Sequence, residues 1–293
     1  GHRIVASVYV ETQSFSRRSG PAMMRPLGEV EFANGMGAIG ESGVFGECRI
    51  CAGIVGHADL RNGSAIGEYL DNAVSLAPLR FRGVRQMTLD DPTESPYRFI
   101  PVRPDRGITR HPKFNEGLRE VARRGLSFDA AMFHHQLADV CEIADSHPDL
   151  TIVLNHSGHA MALDRSEPEK AEIFSNWRGW LVEMAKRPNV VTKIGGLGLP
   201  FWGFGLEERT DPIGSKELAE IWRPYVESAI EIFGVERCMM ESNYPVDSRS
   251  AGYIPAWNAM KIIVKAATYS EKNALFSGNA ARVYRLNLKD FNQ

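Results

Sequence analysis

The sequence predicts an α/β fold built on one parallel sheet, and three observations support this. Short apolar segments of strand length recur along the chain, and each is followed by a stretch with helical periodicity. Gly or Pro stands close to most of the predicted helix ends. A chain of 293 residues with 43% hydrophobic residues can bury one large core. We therefore expect one domain over residues 1–293, in which strands alternate with helices.

The apolar segments predict seven strands, at residues 4–10, 50–55, 81–85, 127–132, 151–154, 190–194 and 238–240. The helical periods predict helices at residues 29–39, 65–75, 115–124, 136–146, 168–186 and 216–233, and residues 256–267 follow the last strand. A closed parallel barrel of this kind needs eight strands, so the pattern predicts a (β/α)8 TIM barrel that lacks one strand. Because the chain begins almost directly in a strand, we expect the eighth strand to precede Gly1, in a longer natural chain of which this is an N-terminally shortened form.

Two long connections follow predicted strands and should therefore lie at the carboxyl ends of the sheet. Residues 88–112 carry five prolines and several arginines, and residues 195–214 carry glycines beside aromatic residues. Loops of this length in a compact domain are usually lids or binding loops. The glycine-aromatic loop predicts either a wall of a substrate site or a loop that packs on the domain.

Composition excludes several classes of function. The formal net charge of -2, with both signs interspersed, gives no nucleic-acid footprint and no basic face for a membrane. No apolar run approaches the length that spans a bilayer, and the first residues lack the pattern of a signal peptide, so we expect a cytoplasmic protein. No glycine-rich phosphate-binding motif follows a strand. Cys48 and Cys51 have redox or zinc-like spacing, but no second pair lies nearby, so we interpret them as ordinary strand cysteines.

A polar stretch follows the last predicted strand and defines the expected site. Glu241, Ser242, Asn243 and Asp247 come directly after the apolar run 238–240. In parallel α/β folds, ligands bind at the carboxyl ends of the strands. We therefore expect an active site there, completed by the ends of the other strands.

The strand ends and the last part of the chain carry a characteristic set of segments. They are Val8-Tyr-Val-Glu11, Gly53-Ile-Val-Gly-His-Ala-Asp-Leu60, Phe81-Arg-Gly-Val-Arg85, Leu126-Ser-Phe-Asp129, Ile152-Val-Leu-Asn-His-Ser-Gly158, Lys193-Ile-Gly-Gly196, residues 237–247 and Asn279-Ala-Ala-Arg-Val-Tyr-Arg-Leu286. Together they give the chain a resemblance to the amidohydrolase 2 family. It implies an amidohydrolase-like TIM barrel among metal-dependent hydrolases, related to dicarboxylate and sugar lactonases and more distantly to aromatic-acid decarboxylases.

The chain departs from this family in two places. It lacks the His-x-His pair at the end of the first strand, and Asn243 stands where the family usually has Asp. An amide cannot act as a general base. The resemblance implies a divalent metal, zinc or manganese, and we expect it to be weakly held or absent here, with Glu11 and His156 as candidate ligands.

Several residues are candidates for the site. His156 and Glu11 end strands and could polarise a carbonyl or bind metal. Because Asn243 cannot act as a base, base catalysis comes from Asp247, Glu11 or Glu241, or is absent. Arg85 could clamp a substrate carboxylate, although an ion pair between strands is an equal alternative. Structural roles also remain open for the others. The predicted catalytic residues are His156, Asp247, Glu11 and Asn243, and the predicted substrate-binding residues are Arg85, Lys193, Gln136 and His57, with Asp59 as a weaker candidate.

Two geometric expectations follow. Glu11, Arg85, His156 and Asn243 should converge on one cleft, because each ends a strand. Lys193 and Glu241 end neighbouring strands and should form a buried ion pair beneath the site, because either charge alone would be costly to desolvate. The alternative is that Lys193 points into the cleft and contacts substrate.

The sequence thus predicts a hydrolase that acts on a lactone or another carboxylated cyclic ester through activated water. A metal-dependent decarboxylase of an aromatic or unsaturated acid is one alternative. A barrel that has lost catalysis and binds a small acid is another. We expect a small-molecule substrate, no nucleic-acid or membrane partner, and, on size class alone, a homodimer.

Overall fold

The computed structural model of the protein describes residues 2–286. Its strands are β1 Ala6–Val10, β2 Arg49–His57, β3 Phe81–Met87, β4 Ser127–Ala131, β5 Ile152–Leu154, β6 Val190–Ile194 and β7 Cys238–Met240. They form one seven-stranded sheet in the order of the sequence, and every neighbouring pair is parallel. The predicted barrel-like parallel sheet is confirmed. Within residues 2–286, β1 and β7 do not pair with each other.

The helices follow the strands as predicted. They are α1 Leu27–Glu41, α2 Ile66–Leu76, α3 Phe114–Arg123, α4 Leu137–Ser146, α5 Glu167–Ala185, α6 Ser215–Phe233, α7 Tyr253–Ile263, α8 Tyr269–Asn273 and α9 Asn279–Val283. Most of the core lies between these helices and the outer face of the sheet, which buries large side chains such as Trp177 and Trp222. None of the helices in this part of the chain is both long and apolar enough to cross a bilayer.

A second, smaller core fills the concave side of the sheet. We call it the lumen cluster, and its buried members are Val55, Val153, Val191, Met239, Val283 and Tyr284. The first four come from β2, β5, β6 and β7, while Val283 and Tyr284 come from the end of the chain. Because side chains alternate along a strand, residues two positions further along each strand also face inward, towards the carboxyl end.

Both long loops are packed onto the domain. In residues 88–112 the arginines pair with carboxylates, as in Arg98 with Asp164 and Arg110 with Asp139. In the glycine-aromatic loop Phe201 and Trp202 are buried, so these aromatic side chains pack inward and do not form an open wall.

Candidate active site

The carboxyl ends of the strands place a set of polar side chains above the lumen cluster. We call this set the polar layer, and its members are Glu11, His57, Arg85, Asp129, Asn155, Lys193 and Glu241. His57, Lys193 and Glu241 each follow a lumen residue by two positions, so strand alternation directs them to the concave side. The apolar lumen forms the floor of the cleft, and the polar layer lies on it.

Glu11 and Arg85 form a buried ion pair in this layer. Glu11 is 0% exposed, and Arg85 Nε donates to its Oε1 at 2.7 Å while Nη2 donates to its main-chain oxygen at 2.6 Å. Burial alone lowers the pKa of Arg85, but the charge of Glu11 and its hydrogen bond raise that pKa above the ordinary value. Arg85 Nη1 also donates to Asn155 Oδ1 at 3.3 Å, which links the pair to β5.

Asp129 holds the centre of the layer. Its Oδ2 lies 2.8 Å from Lys193 Nζ and accepts hydrogen bonds from the Tyr284 hydroxyl at 2.9 Å and from Asn155 Nδ2 at 3.2 Å. Asp129 and Asn155 are both 0% exposed. Sequence reasoning did not select Asp129, although a lone carboxylate in the apolar segment 127–131 was a usable signal, since a buried charge needs partners.

His156 and Glu241 form a second pair, at the ends of β5 and β7. His156 Nδ1 is hydrogen-bonded to Glu241 Oε1. Burial by itself raises the pKa of Glu241, but His156 and Lys193 outweigh it and hold that pKa below its ordinary value. A Cβ atom built on Gly196 would overlap the His156 imidazole, and one built on Gly195 would overlap the Glu241 side chain. The absence of side chains at Gly195 and Gly196 therefore allows His156 and Glu241 to pack against the loop after β6.

The backbone around His156 is strained. His156, Ser157 and His159 have φ angles of 51°, 48° and 26°, in the left-handed region that disfavours residues with a Cβ atom. Such strain persists only where the surroundings over-determine it, and it clusters at functional sites. The His159 ring lies 4.7 Å from the His156 ring, and burial lowers the pKa of His159 well below its ordinary value. His156 is thus packed against a neutral imidazole.

Asn243 and Asp247 lie beyond Glu241, in the loop after β7. Asn243 Nδ2 donates to Asp247 Oδ1 at 2.6 Å, and the Gly198 amide donates to Oδ2 at 3.1 Å. Asp247 is 3% exposed. Burial raises the pKa of Asp247 to about 7 against these two hydrogen bonds, and the charge of Glu241 adds to the rise. Both carboxylate oxygens of Asp247 are engaged in joining two loops.

The predicted site residues therefore fall into two groups. Glu11, Arg85, Lys193 and His57 lie in the polar layer, and His156 joins it through Glu241. Gln136 does not: its amide donates to Thr88 O at 2.8 Å and accepts from the Asp90 amide at 3.0 Å, so it joins two loops. Asp59 instead pairs with Arg61 at 2.8 Å.

The members of the polar layer differ in their exposure to solvent. The side chains of His57, Arg85 and Glu241 are 21%, 13% and 18% exposed, whereas those of Lys193 and Asp129 are 6% and 0% exposed. The loops after β3 to β6 carry a separate buried apolar cluster, made of Leu89, Phe133, Met161, Leu163 and Phe201. The more exposed members of the layer thus come from the ends of β2, β3 and β7.

The side chains described here do not by themselves make a metal site. Among residues 2–286, no group of three or more His, Cys, Asp and Glu side chains is placed to hold a metal ion. Of the two ligands expected from the sequence, Glu11 is paired with Arg85 and His156 Nδ1 is bonded to Glu241. Glu11 Oε2 and His57 Nδ1 lie 3.9 Å apart and have no hydrogen-bond partner among these described residues. They make two metal-binding atoms, whereas zinc takes three or four protein ligands.

Comparisons with known proteins place the chain in a family. The family model described as Amidohydrolase matches residues 53–286. The uncharacterized protein y4mH of Sinorhizobium fredii is 38% identical over 234 residues, covering 80% of this chain and 70% of that protein. An L-fucono-1,5-lactonase of Burkholderia multivorans is 26% identical over 247 residues, covering 82% of this chain and 73% of the enzyme.

A solved structure agrees on the fold. The crystal structure of an amidohydrolase from Burkholderia multivorans with bound zinc has a TM-score of 0.64 and 24% identity, covering 82% of this chain and 75% of that one. The extent of the family match and the identity to its relatives, together with a barrel-like sheet of parallel strands, lead to one conclusion: the chain belongs to the amidohydrolase family and is a hydrolase.

Proposed function

We propose that this hydrolase opens a lactone of a small sugar acid, with His156 as the general base and Glu241 as its orienting partner. The observation that carries the proposal is the hydrogen bond between His156 Nδ1 and Glu241 Oε1, in a pair whose side chains are 8% and 18% exposed. The similarity to an L-fucono-1,5-lactonase supports the substrate class.

The pair has the arrangement that base catalysis requires. A carboxylate that accepts from Nδ1–H fixes the tautomer in which Nε2 carries the lone pair. No hydrogen bond involves His156 Nε2 within residues 2–286, so this nitrogen can take a proton from water. The hydroxide then adds to the lactone carbonyl, the ring C–O bond breaks, and Nε2–H returns the proton to the ring oxygen, which leaves as a hydroxyl group.

Arg85 is the proposed substrate-binding cation. Its contacts with Glu11 and Asn155 use three of the five guanidinium N–H donors, which leaves two for an oxygen of the substrate. The Arg85 side chain is 13% exposed, and we propose that its two remaining donors bind a lactone carbonyl or ring hydroxyl. A positive charge held in place there stabilises the oxyanion that forms when water attacks.

The charges of the polar layer favour a neutral lactone over a dicarboxylate. Three carboxylates, Glu11, Asp129 and Glu241, share the layer with two permanent cations, Arg85 and Lys193, and every cation already contacts a carboxylate. A substrate carboxylate would meet no unmatched positive charge. We therefore propose a sugar lactone first, and the carboxylated cyclic ester expected from the sequence second.

The test is hydrolysis of a lactone panel by the purified chain, followed with a pH indicator. The panel contains L-fucono-1,5-lactone, other neutral sugar lactones and a carboxylated pyrone. We expect turnover of at least one neutral lactone, and His156→Gln should lower kcat by about 100-fold or more, as loss of a general base typically does. His111→Gln, the same change at an exposed histidine, is the matched control and should leave kcat unchanged.

Product analysis separates this proposal from its alternatives. Lactone opening yields a hydroxy acid and no gas. Release of carbon dioxide from aromatic acids, with no lactone turnover, would establish the decarboxylase instead. Full lactonase activity in His156→Gln would refute the role of the imidazole even if the reaction itself stands.

A further inference from the structure

The end of the described chain enters the concave side of the sheet. Asn279 Nδ2 donates to Val235 O at 2.7 Å and Cys238 O at 2.8 Å, so its amide satisfies main-chain oxygens beside β7. The chain then turns inward, and Val283 and Tyr284 join Val55, Val153 and Met239 in the lumen cluster. This segment forms part of the floor of the cleft.

Tyr284 extends from that floor into the polar layer. It is 2% exposed, and its hydroxyl donates to Asp129 Oδ2 at 2.9 Å. Lys193 Nζ lies 2.8 Å from the same oxygen and 5.7 Å from the centre of the Tyr284 ring. One tyrosine thus contacts both members of the central ion pair, once through its hydroxyl and once through its ring.

We propose that Tyr284 is a positioning residue of the active site, which fixes Asp129 and through it holds the Lys193 ammonium beneath the bound substrate. The contacts among Tyr284, Asp129 and Lys193 are observed in the structure. Their effect on catalysis rests on the proposed function. Lys193 is 5% exposed and ends β6 beside the Glu241 that orients His156. Its charge therefore reaches the reacting carbonyl from below.

Three features suit Tyr284 to this role. Its hydroxyl stays a donor, because burial and then the charge of Asp129 raise the pKa of Tyr284 well above its ordinary value. Charge-assisted hydrogen bonds of this kind are stronger than neutral ones. The ring fills the lumen cluster, so the hydroxyl has little freedom to move. A phenylalanine would keep the packing and lose only the hydrogen bond.

Tyr284→Phe is therefore the informative variant, and Tyr225→Phe, a tyrosine packed among Phe174, Trp177 and Trp202, is its matched control. With the lactone that the wild type turns over, we expect Tyr284→Phe to lower kcat about 10-fold with KM changed less than about twofold, because the hydroxyl does not touch substrate. Tyr225→Phe should change neither constant. Wild-type kcat in Tyr284→Phe would overturn the inference.

A second measurement does not depend on activity. Tyr284→Phe should lower Tm by about 2–4 °C in the wild type, as expected for one hydrogen bond to a charged group, and by much less in an Asp129→Asn background. The Lys193→Met, Asp129→Leu double variant serves as the background if Asp129→Asn does not fold, because it also removes the acceptor of the Tyr284 hydroxyl. An equal loss in both backgrounds would mean that Tyr284 only fills the lumen. If no lactone is hydrolysed, the proposed function fails while coupling in this cycle still supports the link between Tyr284 and Asp129.

Discussion

Two carboxylates of the same loop region, Glu241 and Asp247, have pKa values displaced in opposite directions. Both are removed from water, and burial alone raises the pKa of either side chain. Glu241 lies next to His156 and Lys193, which lower its pKa, whereas Asp247 has only neutral donors, Asn243 and the Gly198 amide. The presence or absence of a neighbouring positive charge therefore distinguishes the two environments.

This difference predicts how Asp247 affects stability with pH. Its folded pKa of about 7 lies above the unfolded value of 3.8, so its protonated form is favoured by folding, and this contribution is lost as pH rises towards 7. Asp247→Asn mimics the neutral carboxyl group, and Asn243 can rotate its amide to keep a hydrogen bond. Between pH 5 and pH 7 we expect the wild type to lose about 2 kcal/mol of unfolding free energy relative to Asp247→Asn.

Urea unfolding at the two pH values gives this measurement. Asp211→Asn, at an exposed position, is the control and should follow the wild type at both pH values. If the unfolding free energies of Asp247→Asn and the wild type change equally between the two pH values, Asp247 is ionised at both. It then joins the two loops as a carboxylate.

The ion pair expected between β6 and β7 is shared with a third strand. Lys193 on β6 lies 3.8 Å from Glu241, but its nearest carboxylate is Asp129 at 2.8 Å, on β4 across β5. The predicted pair exists, and it is the weaker of the two contacts. The reason is geometric: curvature of the sheet brings the inward side chains of alternate strands together, and a comparison limited to adjacent strands misses that contact.

The energetic expectation changes accordingly. Asp129→Asn leaves Lys193 buried without its nearest counter-charge and should cost about 3–5 kcal/mol of unfolding free energy. Glu241→Gln should cost only about 1 kcal/mol, because Lys193 keeps Asp129 and the new amide oxygen can still accept from His156. Denaturant unfolding of both variants at pH 7 shows which substitution lowers the unfolding free energy more. The Lys193→Met, Asp129→Leu double variant should recover part of the stability that Asp129→Asn loses. A greater loss in Glu241→Gln would reverse the assignment.

At the scale of the whole molecule, β1 differs from the inner strands. It pairs only with β2 within residues 2–286, and all its residues are partly exposed, whereas β5 is fully buried between two neighbours. We expect amides of residues 6–10 to exchange hydrogen faster than those of residues 152–154 by at least an order of magnitude, because local opening of an edge strand breaks fewer contacts. Hydrogen exchange followed by mass spectrometry tests this. Equal protection of the two strands would show that β1 is covered on its outer edge in solution.

The sequence predicted the alternation of strands and helices closely, because apolar periodicity and Gly or Pro boundaries are local signals. Residues 190–194 and 238–240 were predicted with the bounds of β6 and β7. The partners within the site were harder. Asp129 and Tyr284 are 155 positions apart in the sequence. A local sequence pattern cannot predict a hydrogen bond between two residues so far apart. Gln136 was predicted as a site residue because it follows the end of a strand. Its side chain instead hydrogen-bonds to the loop that follows β3.

The uneven exposure of the polar layer would have a kinetic consequence for the proposed reaction. The side chains of Arg85 and Glu241 are 13% and 18% exposed, whereas those of Lys193 and Asp129 are 6% and 0% exposed. A lactone bound at Arg85 and Glu241 would then enter, and its opened acid would leave, over the same two residues. The acid would also bring a negative charge next to Glu11, Asp129 and Glu241, and this repulsion would speed its release. Under the proposed function, release of the acid and binding of the next lactone would therefore compete for one entrance.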